Sequence, residues 1–385
     1  MALLDNLFAA FKGGEKNRVP LAPGFFQGWM PAFEGGSSTR NFEYTAAVNQ
    51  SFLSNPVAQR AVRIVAEGIG QAPLSATDER LTALITATSA GQSLVETLAA
   101  HILLHGNGYV QIVKDASGHP IELFALRPDR VKVIAGQDGW PCAFEYVVGG
   151  DRITIPVEDD EGWPNIVQIK AMHPLEDYYG AGALAAAHQA VLIHNAAAEW
   201  NLALLENAAR PSGALVYDTG DGAGLTTDQF DRLKTELTAA FSGAGNAGRP
   251  MLLDGGLKWQ KMSMSPADMD FATLKSTAAR EIALAFGVPP MLLGLPGDNT
   301  YSNYREANRA LWRLTLLPLA DKLLSALHEG LSPWFPESSL GIDLDQVPAL
   351  SEDRERLWNQ VSGADFLTDA EKRQMLSLPE LEVSP

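Results

Sequence analysis

Cysteine is almost absent from the 385 residues: Cys142 is the only one. No disulfide can form within the chain, so folding needs no oxidising compartment. Basic residues are also scarce, 29 Lys and Arg against 46 Asp and Glu, for a net charge of −17. Affinity for phosphate comes from Lys and Arg, so composition alone argues against a protein that grips nucleic acid. Met1–Ala10 has no basic stretch ahead of an apolar core, and no secretory signal is expected. Only one stretch has the length of a bilayer span without Asp, Glu, Lys or Arg, Tyr178–Ala198. It is alanine-based and interrupted by His188, Gln189, His194 and Asn195, so a helix buried in protein is expected and no membrane contact.

Catalytic patterns are missing as well. There is no Gly-Lys-Ser/Thr phosphate loop and no Gly-x-Ser-x-Gly elbow. His101 and His105 lie one helical turn apart, but Ile102 stands where a zinc protease carries glutamate, and no third ligand is evident; no metal is expected. Gly243-Ala-Gly245-Asn-Ala-Gly248 spells the dinucleotide fingerprint. That fingerprint needs a strand before it and a helix after it, and here the order is reversed. A nucleotide-binding oxidoreductase resting on residues 243–248 is therefore the weaker alternative, and no cofactor or catalytic residue is assigned.

What is present has the composition of a globular protein, 46% hydrophobic and 19% charged. Residues 12–40 are rich in Gly, Pro and Ser; before them Leu3, Leu4, Leu7, Phe8 and Phe11 fall at helical spacing, as in a docking helix. A packed helix is expected from Ser54-Asn55-Pro56, a capping residue followed by proline. A second run, Gln92 to His105, ends at Gly106. Period-two segments follow at 109–114, 121–126, 131–134, 144–148, 152–155 and 166–170, the pattern of an α+β unit with a mostly antiparallel sheet.

Ala181–Ala208 holds 11 alanines in 28 residues, no proline, and only Glu199 and Glu206 charged. As one helix it would run about 42 Å. A helix apolar nearly all round must be covered nearly all round, and neighbouring copies of the chain are the expected cover. Residues 211–263 then read as strand, helix Thr227–Phe241 and two strands. A helix Pro266–Phe286, the turn Gly287-Val288-Pro289-Pro290 and a polar loop to Asn303 come next. Another helix, Tyr304–Gly330, contains Pro318, which is expected to kink it. A strand at Ile342–Asp345 and two helices close the chain, the last opened by the capping box Thr368-x-x-Glu371.

Residues 246–319 carry a dense set of motifs: Asn246-Ala-Gly-Arg-Pro250, Met264-Ser-Pro-Ala-Asp268, Glu281-Ile-Ala283, Phe286-Gly-Val-Pro-Pro290, Leu293-Gly294, Thr300-Tyr-Ser-Asn303 and Thr315-Leu316 with Pro318. Gly106-Asn-Gly-Tyr109, Leu126-Arg-Pro128 and Arg210-Pro-Ser-Gly213 fit the same pattern upstream. Together they resemble the portal proteins of long-tailed phages over residues 46–375, most closely those of gene transfer agents and related prophages. The resemblance implies a portal fold assembled as a ring, usually dodecameric. It implies an N-terminal arm at 1–45, a wing at 46–180, stem helices at 181–210 and 264–287, and a clip at 211–263. It further implies a tunnel loop at 288–303, a kinked wing helix at 304–330 and a crown region at 331–385.

In such a ring Asp298, Asn299, Thr300, Tyr301, Ser302 and Asn303 would meet double-stranded DNA. Thr227, Asp228, Asn246, Arg249 and Lys258 of the clip would meet a terminase and then a head–tail adaptor. Leu192, Trp200, Arg305, Arg309 and Arg313 would lie between subunits, the arginines pairing with acids of a neighbour. The major capsid protein is a further implied partner, and the implied location is a particle vertex, assembled in the bacterial cytoplasm. The acidic balance is then an asset, because a channel through which DNA slides must not hold phosphates. A capsid-decorating binding protein is a third reading.

Overall fold

A computed structural model describes residues 43–89, 91–136, 140–206, 213–217, 226–241, 257–261, 271–295, 301–376 and 378. The first helix, α1 (Tyr44–Val48), runs into a π turn at Asn49–Leu53. Helix α2 (Pro56–Gly70) starts because Asn55 Oδ1 accepts from the N–H groups of Val57 and Ala58, each at 3.0 Å, while Pro56 fills the first position, which needs no donor. Its buried face is Ala58, Ala61, Val62, Val65, Ala66 and Ile69. Strand β1 (Leu74–Ala76) leads to α3 (Glu79–Thr86), which Asp78 caps and which buries Leu81 and Ile85. A short hairpin, β2 (Thr88–Ser89) and β3 (Gln92–Ser93), precedes α4 (Leu94–His105), which packs on α2. Gly106, in the left-handed region with φ 85°, ends α4 by donating to Ile102.

Strand β4 (Asn107–Lys114) is the centre of a three-stranded antiparallel sheet, with β5 (Pro120–Leu126) on one side and, later in the chain, β9 (Ile166–Lys170) on the other. A second antiparallel sheet is formed by β6 (Val131–Ala135), β7 (Pro141–Val148) and β8 (Asp151–Pro156). Alternation along β4 sends Val110 and Ile112 into the large core shared with the helices. It sends Tyr109 into a small second core with Leu126, Val131, Phe144, Ile155 and Ile166, where the Tyr109 and Phe144 rings meet edge-on at 5.5 Å. The strands expected from period two are all present, divided between two sheets instead of one.

The long helix α5 (Ala183–Glu206) leaves this unit through a crossing of bare backbone. Asn107, wholly buried, accepts the Gly180 N–H on its Oδ1 at 2.8 Å, and the Gly106 carbonyl accepts from Ala171 N–H at 2.8 Å. A Cβ on Gly180 would collide with the Gly106 carbonyl, and one on Gly182 would sit 2.6 Å from the Leu104 carbonyl. Only hydrogen side chains let the two strands of chain pass this closely.

Beyond α5 come β10 (Gly213–Tyr217), α6 (Thr227–Phe241) and β11 (Leu257–Lys261); β10 and β11 pair antiparallel. Helix α7 (Phe271–Ala285) lies along α5. Helices α8 (Tyr301–Leu311) and α9 (Leu317–Leu331) follow, joined by a π turn at Trp312–Leu316. The interruption expected from Pro318 thus takes the form of a π turn just ahead of the proline, which sits in the first turn of α9, where a missing N–H costs least. Strand β12 (Leu340–Ile342) pairs with β1 from the far end of the chain. The strand expected at Ile342–Asp345 is displaced to this position: Asp343 accepts from Asp345 N–H and turns residues Leu344–Gln346 into a 3₁₀ turn. Helices α10 (Ser351–Ser362) and α11 (Asp369–Met375) finish the fold, α11 with the expected reciprocal Thr368–Glu371 box.

Replacing Gly180 with Ala forces the crossing apart and is expected to cost about 3 kcal/mol of stability. Urea denaturation of the variant beside Gly341→Ala, whose glycine has open space around it and no left-handed backbone, measures the difference.

Candidate functional site

The chain turns sharply after α7, and the sequence dictates how. Val288 N–H donates to the Ala283 carbonyl and Gly287 N–H to Leu284, the paired bonds of a glycine-terminated helix, with Gly287 at φ 66°. Pro289 then leads into the 3₁₀ turn Pro290–Leu293, ended by Gly294 at φ 74°. The Gly287 carbonyl is used as well: Thr315 Oγ1, from the π turn between α8 and α9, donates to it at 2.6 Å. Two segments 28 residues apart are therefore tied at the base of residues 288–300.

Of the six residues expected to face DNA, Asp298, Asn299 and Thr300 lie outside the described residues. Tyr301, Ser302 and Asn303 do not belong to a loop: α8 begins at Tyr301, three residues earlier than expected. No proline or glycine separates Tyr301 from Tyr304, and serine and asparagine are tolerated in a first turn whose N–H groups have no helical partner. Ser302 and Asn303 are exposed there.

Two arginines of the expected interface stripe, Arg305 and Arg309, have acidic partners within the same chain. Arg305 Nη1 donates to Glu352 Oε1; Arg309 Nη2 donates to Glu352 Oε2 at 2.7 Å, with Asp353 3.5 Å from its Nε and Glu306 3.1 Å from its Nη1. The carboxylates of Glu352 and Asp353, in the first turn of α10, stand opposite α8. Arg313 is exposed. Glu352 and Asp353 did not stand out in the sequence, where they read as ordinary acids favouring a helix start.

Among its described side chains, the long helix buries one stripe, Leu184, Ala187, Ala190, Val191, His194 and Ala197. Leu192 is half-buried; Trp200, also half-buried, stacks on Phe271 of α7 at 5.6 Å. Leu202 on α5 and Leu274 and Leu284 on α7 are exposed, Leu284 to 80%. The pair α5–α7 therefore presents uncovered leucines, the property expected of a helix completed by other copies.

His194 is tied to the cap of α2. Asn55 Nδ2 lies 3.0 Å from its Nδ1 and donates to Asn195 Oδ1 at 2.7 Å, while Asn195 Nδ2 donates to the Gln50 carbonyl at 2.8 Å. One side chain thus starts α2 and positions α5, a link that capping rules alone reveal only in half. Burial, and then the positive charge of Lys275, hold His194 below the ordinary histidine range.

In the 211–263 segment, Thr226 and Gln229 cap α6 reciprocally, Thr226 N–H to Gln229 Oε1 at 3.0 Å and Gln229 N–H to Thr226 Oγ1 at 3.4 Å. Thr227 and Asp228 are exposed in its first turn. Lys258 stands opposite Val216 in the β10–β11 pair. Asn246, Arg249 and the glycines of 243–248 lie outside the described residues. Among the described residues no three His, Cys, Asp or Glu side chains come together as a metal site, and no helix is long and apolar enough to cross a membrane. His101 is half-buried in a pocket lined by Phe124, Ala125 and Arg127, its pKa lowered to about 4 by desolvation and then by His105.

The model of the phage portal protein family matches residues 56–377. Among solved structures, a chain of the virion of a native gene transfer agent particle is 45% identical, with 90% of this chain and 96% of that chain covered and a TM-score of 0.67. A chain of the neck of the native particle, computed with C12 symmetry, is 46% identical over 88% of this chain and 94% of that one, with a TM-score of 0.66. The probable portal protein of Streptomyces phage phiC31 is 25% identical over 329 residues, 78% of this chain and 69% of its own length.

Two substitutions test the geometry. Asn55→Ala removes the α2 cap and strips a partner from His194 and from Asn195, for an expected loss of about 2 kcal/mol in thermal or urea unfolding. His101 is held neutral in the fold, to about 4 against 6.5 for the free group, so the unfolded chain binds its proton first. Stability from this residue is complete above pH 6.5 and is lost as pH falls through that window. Unfolding of His101→Leu measured at several pH values is expected to show a shallower slope there than the parent protein.

Proposed function

Because the chain belongs to the phage portal protein family, we propose that copies of it close into a ring at one vertex of a phage or gene-transfer-agent particle, and that DNA enters and leaves through the channel. The observation that carries this reading is the match, at close to half identity and over nearly the whole of both chains, with a subunit of a particle neck of C12 symmetry. The ring is accordingly read as a dodecamer, closed head to tail. The exposed leucines of α5 and α7, with Leu192 and Trp200 beside them, supply apolar surface for the contact between neighbours.

In this reading residues 294–303 reach toward the DNA, with Asp298, Asn299 and Thr300 foremost and Ser302 and Asn303 behind them at the exposed start of α8. Short polar side chains touch the duplex without holding it. The segment 211–263, with Thr227 and Asp228 at the exposed end of α6 and Asn246, Arg249 and Lys258 nearby in sequence, contacts a terminase during packaging and an adaptor afterwards. The chain itself is structural: movement of DNA is driven by the docked motor and not by any catalytic residue of the ring.

Negative-stain microscopy of the purified chain tests the assignment. Open rings of about twelve subunits are the expected result; a population of monomers and dimers at every concentration would sink it. Removing residues 295–300 is expected to leave rings intact and to reduce retained DNA in particles, read as packaged length. Full retention would detach the loop from the DNA, and loss of rings would make it a subunit contact.

A further inference from the structure

Helices α8 and α9 form one continuous run, yet they are held to the protein by different forces. Helix α9 buries Ala320, Leu323, Leu324, Leu327 and Leu331. From Ser302 to Leu311, α8 buries Leu311 alone, and Ser302 through Glu306 are exposed. Its neighbours are the turns Pro290–Leu293 and Pro348–Leu350. Between the two helices lies the π turn, where Leu317 N–H reaches back five residues to Trp312 and Pro318 offers no N–H at all. Such an interruption of the regular ladder is where a helix bends most readily. The turn itself is anchored, by Thr315 on the Gly287 carbonyl and by buried Leu316.

Beyond that anchored pivot, charge holds α8. Arg305 and Arg309 both engage Glu352, and Arg309 also faces Asp353 and Glu306. Helix α10, which carries Glu352 and Asp353, is fixed separately. Arg354 grips Asp345 at 2.5 and 2.9 Å, Trp358 Nε1 donates to the same carboxylate at 3.1 Å, and Leu350 and Val361 are buried on either side.

The geometry points to a salt-releasable catch: α8 is a lever that pivots at Trp312–Leu316, held against α10 by Arg305 and Arg309 on Glu352 and Asp353, and freed when other anions compete for the guanidinium groups. Partly exposed ion pairs are weakened by salt, whereas the apolar packing of α9 is not. Any consequence for a DNA channel rests on the portal reading; the catch itself does not.

Hydrogen exchange on the full-length protein tests it, comparing the amides of Tyr304–Leu311 with those of Leu323–Leu331. Raising sodium chloride is expected to lower protection of the first set about five-fold and to leave the second unchanged. The Glu352→Gln, Asp353→Asn double variant is expected to show the low protection at every salt concentration. Salt-independent protection of α8 in the parent protein, or equal loss in α8 and α9, overturns the catch. Either outcome is distinct from failure of the ring assignment, which micrographs read independently.

Discussion

The crossing of Gly106 with Gly180 and Gly182 is the constraint on which the arrangement of the rest depends. It joins three parts at one point: the end of α4, the start of the central strand β4, and the entry to α5. Asn107 closes it, since a wholly buried amide must spend its hydrogen bonds, and here it spends them on the Gly180 backbone. Both its carbonyl and its amide are used there, so the peptide is held from two sides. A junction made of backbone contacts has no rotamers to change, and it transmits orientation from the sheets to the long helix without slack. Asn55 adds a second fixed point twelve residues into α5, so the helix leaves the sheets and α2 at a direction set twice.

That fixed direction has a cost for the isolated chain. Helix α5 cannot fold back to cover its second side, and α7 covers only the stripe that includes Trp200. Leucines therefore remain in water on both helices. In the proposed ring a symmetric assembly would resolve this, each copy lending its neighbour the surface it lacks. Apolar patches that would be an aggregation hazard in a monomer become the interface of a closed ring.

Much of this was legible in the sequence, and the reasons separate what was from what was not. Local rules gave α2, α4, α6 and α11, because each start has its own capping side chain within three residues. Period two gave every strand of the two three-stranded sheets. It could not divide them into two sheets, since Tyr109 and Val110 are both apolar and nothing local says which core each enters. The helix α3 went unread although Asp78 caps it and Leu81 and Ile85 repeat at i and i+4, because eight residues make too short a pattern to stand out. Pairing of β1 with β12 and the Arg–Glu352 contact are long-range choices made by packing, invisible to any window. Tyr301 to Asn303 were misplaced for the opposite reason: polar composition suggested a loop where the backbone, free of glycine and proline, continues a helix.

On the proposed channel reading, ion pairs within the chain account for an acidic protein that sits beside DNA without gripping it. Arg63 is spent on Glu67, Arg80 on Asp78, Lys114 on Asp159, Arg127 on Asp129 and Arg354 on Asp345, each within its own chain. A guanidinium already bonded to a carboxylate offers little to a phosphate, because the exchange gains one charge-assisted pair only by breaking another. With basic residues so engaged, the surplus of 46 acids over 29 bases remains to set the surface potential. Repulsion then acts over a Debye length of about 8 Å at physiological salt, enough to keep a duplex off a wall. A low-friction channel of the proposed kind needs this arrangement more than it needs any single contact residue, so composition, which at first argued against DNA, fits a wall that would let it pass.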